Sequence, residues 1–230
     1  MLRIVQVYPE LLGTYGDGGN GLVLRERARR RGFEVDLVRA NMDGALPAGD
    51  LYLLGGGEDG PQRLAVSLLA KTRFSHRVDD GAMVFAVCAG LQMLGTSFSV
   101  HGDDEYVGLG VVDAVTRRAP SRAVGDLVTT VDGTVMVGFE NHGGETTIGS
   151  GVTPFATVTR GRGNDGRIDG FRAGRVWATY AHGPVLALNP WLADAVLAEA
   201  LGGQELAPLP SVADRLYQAR CRALTNPLVD

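Results

Sequence analysis

A chain of 230 residues with a 45% hydrophobic fraction can bury one large core or two small ones, which excludes a disordered chain. Its net charge of −4 gives no support to nucleic-acid or anionic-membrane binding. No apolar run is long enough to span a membrane, the strand-like start at Met1 to Val7 is too short for a secretory leader, and two cysteines, Cys88 and Cys221, suit a reduced, cytoplasmic protein.

Leu2 to Val7 reads as a buried strand. The loop from Tyr8 to Gly21 is rich in glycine and polar residues, a composition and length often tied to function, although Asp17 or Asn20 equally suits a helix N-cap. A helix from about Gly21 to Arg31 ends on Gly32. Its basic cluster from Arg25 to Arg31 reads as a solvated face, with a partner-protein surface as the other reading. Strands over 33–38 and 50–54 follow, and the second runs into Gly55-Gly56-Gly57-Glu58-Asp59. Glycines at the carboxyl end of a strand let another group approach the backbone where open α/β sheets bind ligands. The spacing is neither a phosphate loop nor a dinucleotide fingerprint. Pro61 opens a helix reaching about Val78.

Ala82 to Val87 is the next buried strand, and Leu91 and Leu94 mark a helix directly after it. Cys88 sits between them, crowded by Ala86, Ala89 and Gly90. This is the pattern of a nucleophile elbow, where a tight turn demands small neighbours. The positive end of the helix favours negative charge at the thiol, and the Ala89 N–H is free to hold an oxyanion. The plainer reading is a buried cysteine acting as a small hydrophobe.

Strand–helix alternation to residue 96 argues a mostly parallel sheet with helices on both faces. Beyond Gly102 strands follow in quick succession, at 111–116, 127–131, 134–139, 155–159, 167–171 and 175–180, with a hairpin signal at Asn164-Asp165-Gly166. Two helices, near 190–201 and 211–224, close the chain. No linker is visible, so residues 1–230 read as one domain whose sheet extends into antiparallel strands.

A thiolate nucleophile needs a histidine. His76 and His101 lie in polar, surface-like stretches, whereas His142 and His182 sit in Gly138-Phe139-Glu140-Asn141-His142 and Tyr180-Ala181-His182-Gly183-Pro184. Strand carboxyl ends share one edge, so His182 can reach Cys88, and chain order favours it slightly over His142.

The elbow, the glycine run 55–57 and the late Tyr-Ala-His-Gly-Pro resemble class I glutamine amidotransferases, whose fold is flavodoxin-like, and among them the cobyric-acid-synthase-like branch. Thr14-Tyr15-Gly16-Asp17-x-Gly19-Asn20, Gly55-Gly56-Gly57-x-Asp59-x-x-Gln62, Gly138-Phe139-Glu140-Asn141-His142 and Gly161-x-Gly163-Asn164 are similar to the GatD family, the glutaminase subunits of lipid II isoglutaminyl synthases. The resemblance implies that Cys88 attacks the glutamine amide, that the amides of Ala89 and Gly57 hold the oxyanion, and that His182 moves the protons. It also implies that Arg122 meets the substrate α-carboxylate, a position where a plain surface arginine is the other reading. Many relatives carry a glutamate two residues after the histidine. Here that residue is Pro184, so the site is a Cys–His dyad or another carboxylate, Glu140 or Glu145, orients His182. Ala86 stands where the elbow usually has glycine.

By the same resemblance the chain needs no cofactor or metal. A MurT-like Mur-ligase-family synthetase subunit uses ATP and magnesium to amidate the D-glutamate α-carboxylate of lipid II with ammonia made here. Tyr15, Asp17 and Asn20 are the expected docking or ammonia-passage residues. Competing readings are a stand-alone cysteine hydrolase of γ-glutamyl substrates, a non-catalytic binding subunit and a glutaminase serving a corrinoid acceptor.

Overall fold

Aliphatic runs without a polar break build the centre of the molecule. The computed structural model describes residues 1–99 and 104–225, so His101 lies outside the described residues. The elements run β1 (Leu2–Val7), α1 (Gly19–Arg29), β2 (Val35–Ala40), β3 (Leu51–Leu54), α2 (Asp59–Leu69), α3 (Phe74–Asp79), β4 (Met83–Val87), α4 (Ala89–Leu94). Then come β5 (Ser97–Ser99), β6 (Glu105–Val107), β7 (Ala114–Val131), β8 (Thr134–Ile148), β9 (Ala156–Arg160), β10 (Ile168–Asp169), β11 (Phe171–Ala173) and β12 (Val176–Thr179). Three helices end the chain: α5 (Val185–Leu188), α6 (Pro190–Ala200) and α7 (Val212–Thr225).

The first sheet has six strands in the order β11-β12-β4-β3-β1-β2. Every pairing is parallel except β11 with β12. Each residue of β3, β4 and β12 is buried, as expected of central parallel strands covered on both faces. The expected parallel sheet with an antiparallel extension is therefore present, but the extension is β11 alone. The other late strands make a second sheet, ordered β10-β9-β7-β5-β6, with β8 on β7. A bridge between Phe139 and His182 joins the two sheets beside the end of β12.

Two local departures have local causes. The helix expected to run from Pro61 to Val78 is broken, because Thr72 Oγ1 donates to the Leu69 carbonyl at 2.7 Å and accepts from the Phe74 amide at 3.1 Å. Such side-chain bonds compete with the helix ladder. The strands expected at 111–116 and 127–131 are one strand, β7, whose pairing with β8 breaks register between Arg118 and Ala123. Pro120 lies in that break, where a missing N–H costs the ladder nothing.

The basic cluster of α1 is not a simple solvated face. Arg27 Nε and Nη2 each donate to Asp194 of α6 at 2.6 Å, and Arg31 Nη2 donates to the same carboxylate at 2.8 Å. The side chains of Arg27 and Arg31 are 9% and 4% exposed. The fork geometry of arginine lets one carboxylate fasten α1 to α6. Among the described residues no helix is long and apolar enough to cross a membrane.

Removing Asp194 strands two buried guanidinium groups. A fully buried pair costs about 3–5 kcal/mol to break, and Asp194 is 26% exposed, so Asp194→Ala is expected to destabilise by roughly 2–3 kcal/mol. Urea unfolding reads this as a lowered midpoint; an unchanged midpoint contradicts the buried clamp.

Candidate active site

Cys88 lies between β4 and α4 with φ 50° and ψ −104°, a backbone conformation unusual for a residue with a side chain. Its neighbours hold it there. The Cys88 N–H donates to the Thr179 carbonyl of β12 at 2.9 Å, and its own carbonyl accepts from Gln92 at 3.0 Å. A Cβ on Gly90 would stand 2.7 Å from the Leu54 Cβ, so only glycine lets the turn close onto β3. The thiol is nearly buried, at 6% exposure. Ala89 opens α4, and its N–H lies outside the intrahelical ladder.

His182 follows β12 on the same sheet edge, as expected. Its main chain is fixed to β8: its N–H donates to the Phe139 carbonyl at 2.7 Å, and its carbonyl accepts from Phe139 at 3.1 Å. Its Nδ1 stands 3.0 Å from Asp17 Oδ2. A carboxylate can only accept, so Nδ1 carries the proton. Nε2 is buried and has no hydrogen bond of standard geometry among the described residues. The Cys88 thiol is nonetheless close enough to act on the ring. Burial alone would discharge this imidazole, but the Asp17 carboxylate and the Cys88 thiol outweigh burial and lift its pKa to about 10.

The acid behind His182 is therefore Asp17, not Glu140 or Glu145. Asp17 is 4% exposed, and its Oδ2 also accepts from the Gly56 amide at 2.8 Å. Glu140 is held elsewhere, by His142 Nε2 at 3.1 Å and by the amides of Arg162 and Gly163 at 2.7 and 2.9 Å. These bonds outweigh burial and keep its carboxyl below the ordinary carboxylate range. Glu145 is exposed on β8, in register with Arg117. His142 stacks on Tyr180 with centroids 3.8 Å apart and faces Glu140 rather than Cys88.

The residues expected to serve docking or ammonia passage are occupied within the fold. Asn20 is buried, and its Oδ1 accepts from the Leu186 amide at 3.0 Å, which secures the start of α5. Asp17 serves His182. Tyr15 covers the histidine, with ring centroids 4.6 Å apart. Arg122, in the register break of β7, bonds through Nε to Asn141 Oδ1 at 2.5 Å and reaches the Tyr15 hydroxyl at 3.4 Å. It also lines a cavity of about 210 Å³ with Gln92, Arg118, Gly143 and Gly144. The site thus brings Arg122 to its rim, exposed.

The glycine run serves the chain itself. A Cβ on Gly56 would lie 2.4 Å from His182 Cε1, one on Gly55 2.0 Å from the Leu12 carbonyl oxygen, and one on Gly57 2.7 Å from that of Leu11. The close approach read from the sequence is made by the first loop and the histidine. The Gly57 amide makes no hydrogen bond among the described residues and, like that of Ala89, remains available as a donor. Behind the elbow runs a buried chain that the sequence reading did not single out. Gln62 Nε2 donates to Gln92 Oε1 at 2.9 Å, Gln92 Nε2 to the Tyr180 hydroxyl at 3.2 Å, and that hydroxyl pairs with Thr146 Oγ1 at 2.7 Å. Burial, helped by charge at Cys88, pushes the Tyr180 hydroxyl upward in pKa.

Comparison with known proteins identifies the family. The model of the CobB/CobQ-like glutamine amidotransferase domain matches residues 3–190. The chain is 34% identical over 205 residues to the lipid II isoglutaminyl synthase (glutamine-hydrolyzing) subunit GatD of Staphylococcus aureus, covering 86% of this chain and 84% of that one. It is 31% identical over 229 residues to the subunit of the same name from Streptococcus pneumoniae, covering 94% and 88%. A crystal structure of a glutamine amidotransferase superposes with a TM-score of 0.59 at 22% identity, covering 87% of this chain and 99% of that one, a likeness of fold.

Gly56→Ala is expected to displace His182 while leaving the sheets intact. A misplacement of about 1 Å at a reacting group costs on the order of 10²-fold, so glutaminase kcat should fall about that far with an unchanged circular-dichroism spectrum. Full activity in the variant contradicts the close packing of His182 on Gly56.

Proposed function

The chain belongs to the CobB/CobQ-like glutamine amidotransferases, and we propose that it is the glutamine-hydrolysing subunit of a two-component lipid II isoglutaminyl synthase. The buried row Asp17–His182–Cys88 at the carboxyl edge of the parallel sheet carries the glutamine-hydrolysing half of this reading, and the likeness to the two GatD subunits supports the lipid II half. An acid that fixes the histidine tautomer, and a histidine beside a thiol, form the arrangement of a nucleophilic acyl-transfer site.

The steps follow from the positions. Cys88 gives its thiol proton to His182, and the resulting thiolate attacks the side-chain amide carbon of glutamine, whose carbonyl oxygen becomes an oxyanion. The amides of Ala89 and Gly57 hold that charge; one such donor is commonly worth on the order of 10²–10³ in rate. His182, kept protonated beside Asp17, gives its Nε2 proton to the departing nitrogen, so ammonia leaves and a thioester remains. His182 then takes a proton from water, which attacks the thioester and releases glutamate and the free thiol. Arg122 at the rim pairs with the substrate α-carboxylate.

The ammonia is spent by a Mur-ligase-like partner. That subunit uses ATP and magnesium to activate the D-glutamate α-carboxylate of lipid II as an acyl phosphate, which ammonia converts to D-isoglutamine. This chain then requires no cofactor of its own and works in the cytoplasm, on the face of the membrane where ATP is present.

The test is hydrolysis of glutamine by wild type and Cys88→Ala, alone and with the synthetase, with 6-diazo-5-oxo-L-norleucine as covalent label. Wild type should release ammonia, label on Cys88 and support lipid II amidation with the synthetase; Cys88→Ala should lose activity by 10³-fold or more and take no label. Absence of both hydrolysis and labelling in the complex refutes the reading, and turnover of γ-glutamyl peptides without any partner favours a stand-alone hydrolase.

A further inference from the structure

One hydroxyl group, on the tyrosine whose ring lies against His182, stands between two opposite charges. Tyr15 Oη donates to Glu58 Oε1 at 3.4 Å, and accepts from Asn141 Nδ2 at 3.0 Å and Arg122 Nη2 at 3.4 Å. The ring of the same tyrosine covers His182. Glu58 and Arg122 are both exposed, so each can exchange this partner for another at little cost. Burial first, and then the charge on Glu58, push the Tyr15 hydroxyl upward in pKa, so it stays a neutral donor between them. Glu58 comes straight after the glycine run and caps α2 with extended backbone, φ −77° and ψ 162°. Its main chain is therefore fixed beside the Gly57 amide while its carboxylate stays in solvent.

Free glutamine carries two charges at its far end, an α-carboxylate and an α-ammonium on one carbon, three bonds from the amide carbon that Cys88 attacks. A guanidinium answers only the first of these. We infer that Glu58 reads the α-ammonium of the substrate, opposite Arg122 on the α-carboxylate, with the Tyr15 hydroxyl between them. The site then selects a free α-amino acid over an amide that lacks the amino group or carries it acylated. This rests on the glutaminase reading above and adds a specificity residue to it. Asp59, the next residue, lines the cavity beside Arg122, and Asp59→Asn is therefore the control for Glu58.

The test compares kcat/KM for L-glutamine and for glutaramate, the same amide without the α-amino group, in the subunit complexed with its synthetase. A hydrogen bond to a charged group contributes enough to discriminate by about tenfold or more, so wild type should prefer glutamine by at least that factor. Glu58→Gln should lose that factor on glutamine, chiefly as a raised KM, and little on glutaramate, bringing the preference near unity. Glu58→Asp should recover part of it. Equal losses on both amides would show a structural role and overturn the assignment, as would a preference that survives in Glu58→Gln or collapses in Asp59→Asn instead. A wild-type complex that hydrolyses neither amide is a separate result, which refutes the glutaminase reading itself.

Discussion

The bond between Asp17 and His182 joins residues 165 positions apart, and the rest of the site is arranged to permit it. Asp17 can reach the histidine only because the loop after β1 lies flat on the glycine run after β3. That run must lack side chains, since a Cβ at Gly56 would strike the imidazole. The Gly56 amide then binds the same carboxylate oxygen, so the acid is held from both sides. The histidine needs its own restraint, and the bridge to Phe139 of β8 supplies it. A buried carboxylate and a buried imidazole are each unfavourable alone, and each is stabilised by the other. The chemistry of the thiol follows from this pair, because an imidazole kept charged can donate a proton to a leaving group.

The second sheet supports this edge from behind. Tyr180 lies two residues before His182, stacked on His142 and bonded through its hydroxyl to Thr146 and Gln92. Asp169 accepts from the Thr179 hydroxyl at 2.5 Å and from the Tyr180 amide at 3.0 Å. Burial raises its pKa to about 6. These satisfied polar groups fix the end of β12 more sharply than an apolar contact, because leaving any of them unpaired is costly. The buried part of the site is thus built from both sheets, while Arg122 and Glu58 stand exposed at its rim.

Much of this was legible in the residues. The strand, turn and helix around Cys88 followed from an apolar run and small neighbours, and the place of His182 followed from the rule that parallel strands end on one edge. The same rule covers the loop after β1, which also leaves that edge, so Asp17 was reachable by that argument. An Asp before a helix has a common local explanation as a cap, and that explanation competes with a role beside a histidine 165 positions away. Glu140 and Glu145 are nearer along the chain but are turned away by the pairing of β8, a long-range fact with no local signal. The burial of Arg27 and Arg31 was hidden for the same reason, since only the packing of α6 shows that Asp194 lies between them. The division into two sheets was equally out of reach, because strand patterning reports which residues face a core and not which core they face.

The bond between Asp17 and His182 is tested most directly by the pH dependence of glutaminase kcat/KM in wild type and in Asp17→Asn. The Asp17 carboxylate favours the charged imidazole, so its loss must lower the pKa of His182 from about 10 toward the ordinary value near 6.5. His182 acts as an acid toward the leaving ammonia, so the alkaline limb of the profile reports loss of its proton. Asp17→Asn is expected to move this limb to lower pH by at least one unit and to lower kcat/KM by at least two orders of magnitude, with the fold intact. An unchanged limb with undiminished kcat/KM would contradict it and leave Cys88 and His182 as a dyad that needs no acid.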